Sequence, residues 1–192
     1  MKNTKFSRFL FYLFSALMAF SICAIYIYDA KFYPIAYIKQ IEKYSTEYGA
    51  DGALITSIIN AESGFNRYCV SSSGALGLMQ MLPRTAEWVA NQLNVITFNT
   101  EMLYNADTNI KFGTFYFMYL YNKFNSVSTA LACYNAGEGL VANWLDSDLY
   151  SSDGVNIKTT PYPATNAYLE KIEKNFNVYK TKYYRILTRI MN

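Results

Sequence analysis

The sequence contains no histidine. That absence removes histidine-based triads, histidine general bases and histidine metal ligands together. Acid–base chemistry near neutral pH must then fall to a carboxylate, lysine, tyrosine or cysteine with a shifted pKa. Proline and glycine are scarce, four and nine in 192 residues, which argues against a disordered or collagenous chain. Charge of one sign is scarce too. The formal net charge is +3, but Lys2, Lys5 and Arg8 stand in the first eight residues. From Ala30 onward fourteen basic residues meet thirteen acidic ones, so there is no basic excess to suit a nucleic acid. Aromatics are abundant, with 19 Tyr and 13 Phe; most belong in a core, and some suit sugar stacking.

Charge is wholly absent from Phe9 to Tyr28, which reads FLFYLFSALMAFSICAIYIY. Twenty helical residues span ~30 Å, the hydrocarbon thickness of a bilayer. Basic residues precede the run and Asp29 follows it. The expectation is therefore a membrane anchor through residues 9–28, with a cytoplasmic N-terminus and the remainder outside the cytoplasm. A cleaved signal peptide would need a shorter run and a small-x-small site, and Ile25-Tyr26-Ile27-Tyr28 offers none. Phe20-Ser21-Ile22-Cys23 likewise fits a lipoprotein signal poorly. The expected division is residues 1–30 as cytoplasmic stub and signal anchor, and 31–192 as one further domain.

That domain reads as a succession of helices. Ile35, Ile38, Ile41 and Tyr44 recur on one face of a helix over 34–48. Asp51 suits the N-cap of a helix running to about Ser63. Residues 71–78, SSSGALGL, form a loop, and Pro83 opens a helix ending near Asn94. Further helices are expected over about 107–122, 126–134 and 165–190, with a polar loop at 146–163. No alternating strand pattern of any length appears, so the fold class is mainly α.

Within the helix 51–63, Leu54, Ile58 and Glu62 share one face at four-residue spacing. Glu62 thus projects from the apolar stripe, where desolvation raises a carboxyl pKa into the range of a general acid. A structural carboxylate paired with a buried arginine, or capping a neighbouring helix, is the alternative reading. Farther on, Gly74 and Gly77 permit a close backbone approach to a ligand. Tyr134-Asn135 before Gly137 suits a helix end that offers a hydroxyl and an amide to a polar ligand.

In this order the segments Glu62-Ser63, Ser71, Gly74 to Gln80 with Pro83, Leu103 to Tyr116, Leu131 to Gly137 and Pro161 to Tyr168 resemble the catalytic domain of soluble lytic transglycosylases. The resemblance covers about residues 34–184. It implies a lysozyme-like transglycosylase domain behind one N-terminal transmembrane helix. It implies Glu62 as the only catalytic acid and base, and Ser71, Gln80, Tyr134 and Asn135 along a sugar-binding cleft, with Tyr168 near Glu62 at its wall. The implied partner is the glycan strand of peptidoglycan, cut between N-acetylmuramic acid and N-acetylglucosamine to leave 1,6-anhydro ends. No cofactor, metal or nucleic acid is implied, and no protein partner is identified. Three positions depart from the family pattern: Ala164 where many members carry Glu, Leu82 where Met is common, and Cys133 in place of a small residue. Two other functions stay open, a hydrolytic muramidase on the same fold and a weakly active wall-binding module. Cys69 and Cys133 are either a disulfide or two small buried hydrophobes. The basic last helix, with Lys171 and Lys174 among its residues, reads as a solvated face.

Overall fold

A computed structural model describes residues 2–191. The chain divides into two compact units, residues 1–34 and 35–192. The first is a single helix, α1 (Lys2–Phe32). Its stretch Phe6–Phe32 is long and apolar enough to cross a bilayer, and its large apolar side chains are exposed.

The second unit comprises α2 (Ile38–Tyr48), α3 (Gly52–Ser63), α4 (Pro83–Gln92), a short 3-10 turn (Thr100–Tyr104), α5 (Ala106–Phe124), α6 (Val127–Ala136), α7 (Glu138–Leu145) and α8 (Pro163–Met191). No strand occurs among the described residues, only two isolated bridges, Val70 with Leu76 and Leu76 with Met81. Most predicted helix ends lie within two residues of the observed ones. Three differences have local causes. The first helix begins at Ile38 rather than 34, because Tyr37 takes a left-handed backbone (φ 57°) just ahead of it. The helix α7 was not expected. It follows α6 with only Gly137 between them, at φ 91°, so one residue ends one helix and starts the next. Its signal, buried Val141 and Trp144 three apart, fills a single turn. The 3-10 turn at 100–104 falls in a stretch to which the sequence pattern assigned no element.

Helix α3 organises the unit. Asp51 caps it, accepting from the Ala53 and Leu54 amides at 2.8 and 3.3 Å, and Gly64 closes it in the left-handed region. Every residue from Gly52 to Asn60 is buried, so this is a central helix covered all round rather than an amphipathic one. Its buried hydroxyls are satisfied within the helix, Thr56 on the Gly52 carbonyl and Ser57 on the Ala53 carbonyl. Helix α8 lies antiparallel along it. Tyr183 closes over Gly52, the Asn175 amide donates to the Ser57 carbonyl, and Lys171 donates to the Ala61 carbonyl. A Cβ on Gly52 would run into the Tyr183 ring, so a larger residue there would have to displace that side chain.

The loop between α3 and α4 is held by Asn109 of α5. Its side chain is fully buried. The carbonyl accepts from the Met79 amide (2.7 Å), and the amide donates to the Leu76 and Leu103 carbonyls (2.9 and 2.8 Å). Gly77 (φ 80°) is needed here. A Cβ would sit 2.2 Å from the Asn109 amide nitrogen, so the close approach expected for a ligand is made instead by the protein itself. Asn109→Ala deletes three buried hydrogen bonds and leaves their partners unmet. It should lower unfolding stability by about 3 kcal/mol. Chemical denaturation checks this, and a change below about 1 kcal/mol would show that the loop is held by other contacts.

Candidate active site

Glu62 stands in the last turn of α3, half-buried at the end of the line of Leu54 and Ile58. Its neighbour Ser63 donates to the Leu78 carbonyl at 2.8 Å, which ties the end of α3 to the glycine-bearing loop. Burial pushes the Glu62 carboxyl up to about 7, and Tyr168 and Lys171 of α8 offset this only in part. The raised value expected from its place on the apolar stripe is therefore present, and its cause is desolvation.

Two tyrosines face the same carboxyl. Burial first, and then the nearby Glu62 charge, hold the phenols of Tyr134 and Tyr168 well above their usual value. Their roles differ. The Tyr134 hydroxyl donates to the Met79 carbonyl at 2.8 Å and lies 3.3 Å from the Met81 sulfur, so its proton is committed to the loop. The Tyr168 hydroxyl is buried and makes no hydrogen bond of ordinary geometry, although it lies near enough to Glu62 to lower the carboxyl pKa. It is a near contact rather than a formed bond, and its proton is available to the carboxylate.

The other expected site residues fall into two groups. Gln80, Tyr134 and Asn135 line one recess of about 180 Å³ with Leu82, Thr85 and Tyr116. Asn135 is exposed; its side-chain oxygen accepts from Thr165 at 2.9 Å, which leaves the amide group facing outward. Gln80, at a left-handed φ of 48°, donates its amide to the Cys69 and Gly77 carbonyls (3.1 and 2.9 Å), so only its oxygen is left for a ligand. Ser71 is outside that recess, on the rim of the loop. Its hydroxyl accepts from the Ala75 amide and pairs with Ser73. Thr165, which orients Asn135, was not singled out in the sequence; its position three residues before Tyr168 on the first turn of α8 was the available signal.

Ala164 is exposed beside Thr165 and supplies no carboxylate. Cys69 and Cys133 are free thiols, not a disulfide; Cys133 is buried against the recess, and burial pushes its pKa up to about 12. A larger cavity of about 760 Å³ opens elsewhere, among Leu54, Leu131, Ile172 and Phe176. Glu62 is not on its wall, whose carboxylates are Asp51, Glu170 and Glu173.

The desolvated carboxyl of Glu62 lies near the phenols of Tyr134 and Tyr168, and Tyr134 also lines the recess of Gln80 and Asn135, although Glu62 itself is not on the wall of that recess. The chain belongs to the transglycosylase SLT domain family, whose match covers residues 39–154. It is 33% identical over 160 residues to membrane-bound lytic murein transglycosylase C of Actinobacillus pleuropneumoniae, covering 72% of this chain and 44% of that protein. It is 31% identical over 143 residues to the soluble lytic murein transglycosylase of Escherichia coli, covering 73% of this chain and 22% of that protein. The chain thus spans less than half the length of these relatives. Among solved structures, an inactive mutant of the lytic transglycosylase Slt of Pseudomonas aeruginosa superposes with a TM-score of 0.72 at 29% identity, over 80% of this chain and 25% of that one. The 70-kDa soluble lytic transglycosylase of Escherichia coli gives 0.69 at 26% identity, over 80% and 25%.

The buried acid has a consequence for stability. An unfolded glutamate titrates near 4.5 and Glu62 near 7, so between these values the folded state holds more protons than the unfolded one. This group's contribution to stability is highest below pH 4.5, falls as pH rises through the window, and is lowest above 7. Ionised Glu62 then costs about 3 kcal/mol. Glu62→Gln removes the slope. Thermal melts should show the variant gaining on wild type from pH 4.5 upward, by about 2–3 kcal/mol above pH 7. Parallel curves would mean that the carboxyl is solvated.

Proposed function

We propose that this protein is a lytic transglycosylase acting on the glycan strands of peptidoglycan, held to the membrane by residues 9–28. The N-terminus lies in the cytoplasm and the catalytic unit outside it. The basic Lys2, Lys5 and Arg8 before the apolar run support that orientation. The observation that carries the reaction is Glu62: one carboxyl, held near pH 7 by burial, whose charge is tuned by a phenol and an ammonium rather than by a second carboxylate.

Hydrolytic glycosidases commonly use two carboxylates, one as acid and the other as nucleophile or base. A site with one can take its nucleophile from the substrate. Neutral Glu62 protonates the oxygen between muramyl C1 and the following N-acetylglucosamine. The 2-acetamido group of the muramyl ring supports the positive charge that develops at C1. The Glu62 carboxylate then takes the proton of the muramyl C6 hydroxyl, whose oxygen closes on C1 to form the 1,6-anhydro ring. Glu62 returns to its neutral form, so protons balance over the cycle. Intramolecular attack gains from a high effective molarity and needs no positioned water. Tyr168 donates to Glu62 in its anionic phase. Asn135, held by Thr165, and the Gln80 oxygen bind the acetamido and hydroxyl groups of the sugars, with Ser71 at the rim and Tyr134 shaping the floor.

Digestion of purified peptidoglycan with the whole protein in detergent should release muropeptides one water lighter than reducing-end products. Glu62→Gln should release none while still binding. Reducing-end products would assign the attack to water and make the protein a hydrolytic muramidase. Binding without cleavage by wild type would leave a wall-binding module.

A further inference from the structure

The elements around Glu62 are α6, the loop 71–80 and α8. From α6 there is Tyr134, whose proton is committed to Met79. The loop 71–80, SSSGALGLMQ, contributes no titratable group. From α8 there are two, Tyr168 and Lys171, three residues apart and therefore on one face of the helix. Lys171 crosses from α8 to α3 and donates its ammonium to the Ala61 carbonyl at 2.6 Å, a contact between residues 110 apart in the chain. Ala61 precedes Glu62 directly. Its carbonyl is one of the last four of α3, which have no partner within the helix and attract cations.

We propose that Lys171 is a positioning residue for Glu62: its ammonium clamps the last turn of α3 through the Ala61 carbonyl and sets a fixed positive charge beside the carboxyl. The clamp and the charge do separate things. The clamp orients the Glu62 side chain between the two phenols. The charge favours the carboxylate, the form that Glu62 takes between protonating the leaving oxygen and accepting the C6 proton. Glu170 and Glu173 flank Lys171 on α8 but line the separate cavity beside Leu54 and Leu131. Lysine suits the position because its compact head can serve a carbonyl while its charge still reaches the neighbouring residue. The role in the reaction rests on the function proposed above; the electrostatic coupling does not.

The test is built to separate the two. Glu62 protonation is read without turnover, from the pH dependence of stability in each background with and without Glu62→Gln, using the whole protein. Lys171→Met should raise the midpoint of the Glu62 transition and leave roughly two- to threefold more of the acid form at pH values above it, the scale of a pair screened by solvent. Lys171→Arg should keep the wild-type midpoint. Lys174→Met, an equal loss of charge at an exposed position one turn along α8, should also keep it. In wild type, raising the salt concentration should move the midpoint upward by screening the ammonium, so the coupling is testable even if Lys171→Met does not fold. An unmoved midpoint in Lys171→Met, an equal shift in Lys174→Met, or, with Lys171→Met unfolded, a wild-type midpoint indifferent to salt would overturn the proposal. The alkaline limb of kcat/KM on peptidoglycan should follow the same order. A midpoint that moves while the limb does not leaves Lys171 in its role and removes Glu62 as the acid.

Discussion

The desolvated carboxyl of Glu62 is the constraint around which the second unit is arranged. A helix buried on every side from Gly52 to Asn60 carries a glutamate in its last turn, and ionising that glutamate costs the fold about 3 kcal/mol above pH 7. Such a penalty is a large part of the stability of an ordinary domain. The surroundings limit it. Tyr168 and the charge of Lys171 on α8 lower it, Ser63 fastens the end of α3 to the loop, and Asn109 fixes that loop from α5. Each of these contacts crosses between elements distant in the chain, so the geometry of the acid is a property of the whole unit.

Much of the apparent ligand chemistry in the sequence turns out to be internal. Gly77 makes room for Asn109 rather than for a sugar. The Gln80 amide and the Tyr134 hydroxyl are spent on backbone carbonyls of the same loop. What remains outward is the Asn135 amide, the Gln80 oxygen and the rim serine. A polar motif can thus be retained because it builds the wall of a recess, with only part of its hydrogen-bonding capacity offered to a ligand.

The helices with capping residues were legible in the sequence: Asp51 and Pro83 mark the starts of α3 and α4. The apolar run likewise announced α1. The elements that were not legible are short and set by their neighbours. In α7 the apolar signal is two side chains, and its start depends on the backbone angle of Gly137. The placement of Glu62 on an apolar stripe followed from periodicity, and its raised pKa follows from burial. Lys171 is exposed, as its place on a helix rich in basic residues suggested, but its contact with α3 did not follow from the sequence. Only the antiparallel packing of α8 on α3 brings it to the Ala61 carbonyl.

Direct titration of the Glu62 side chain tests the central claim most closely. In protein carrying carbon-13 at glutamate carboxyls, the resonance absent from Glu62→Gln identifies the residue. A carboxyl desolvated at the end of α3 titrates with a midpoint of about 7. A midpoint in the ordinary range of about 4 to 5 would contradict the claim, since a solvated glutamate would be ionised at neutral pH and hold no proton for a glycosidic oxygen.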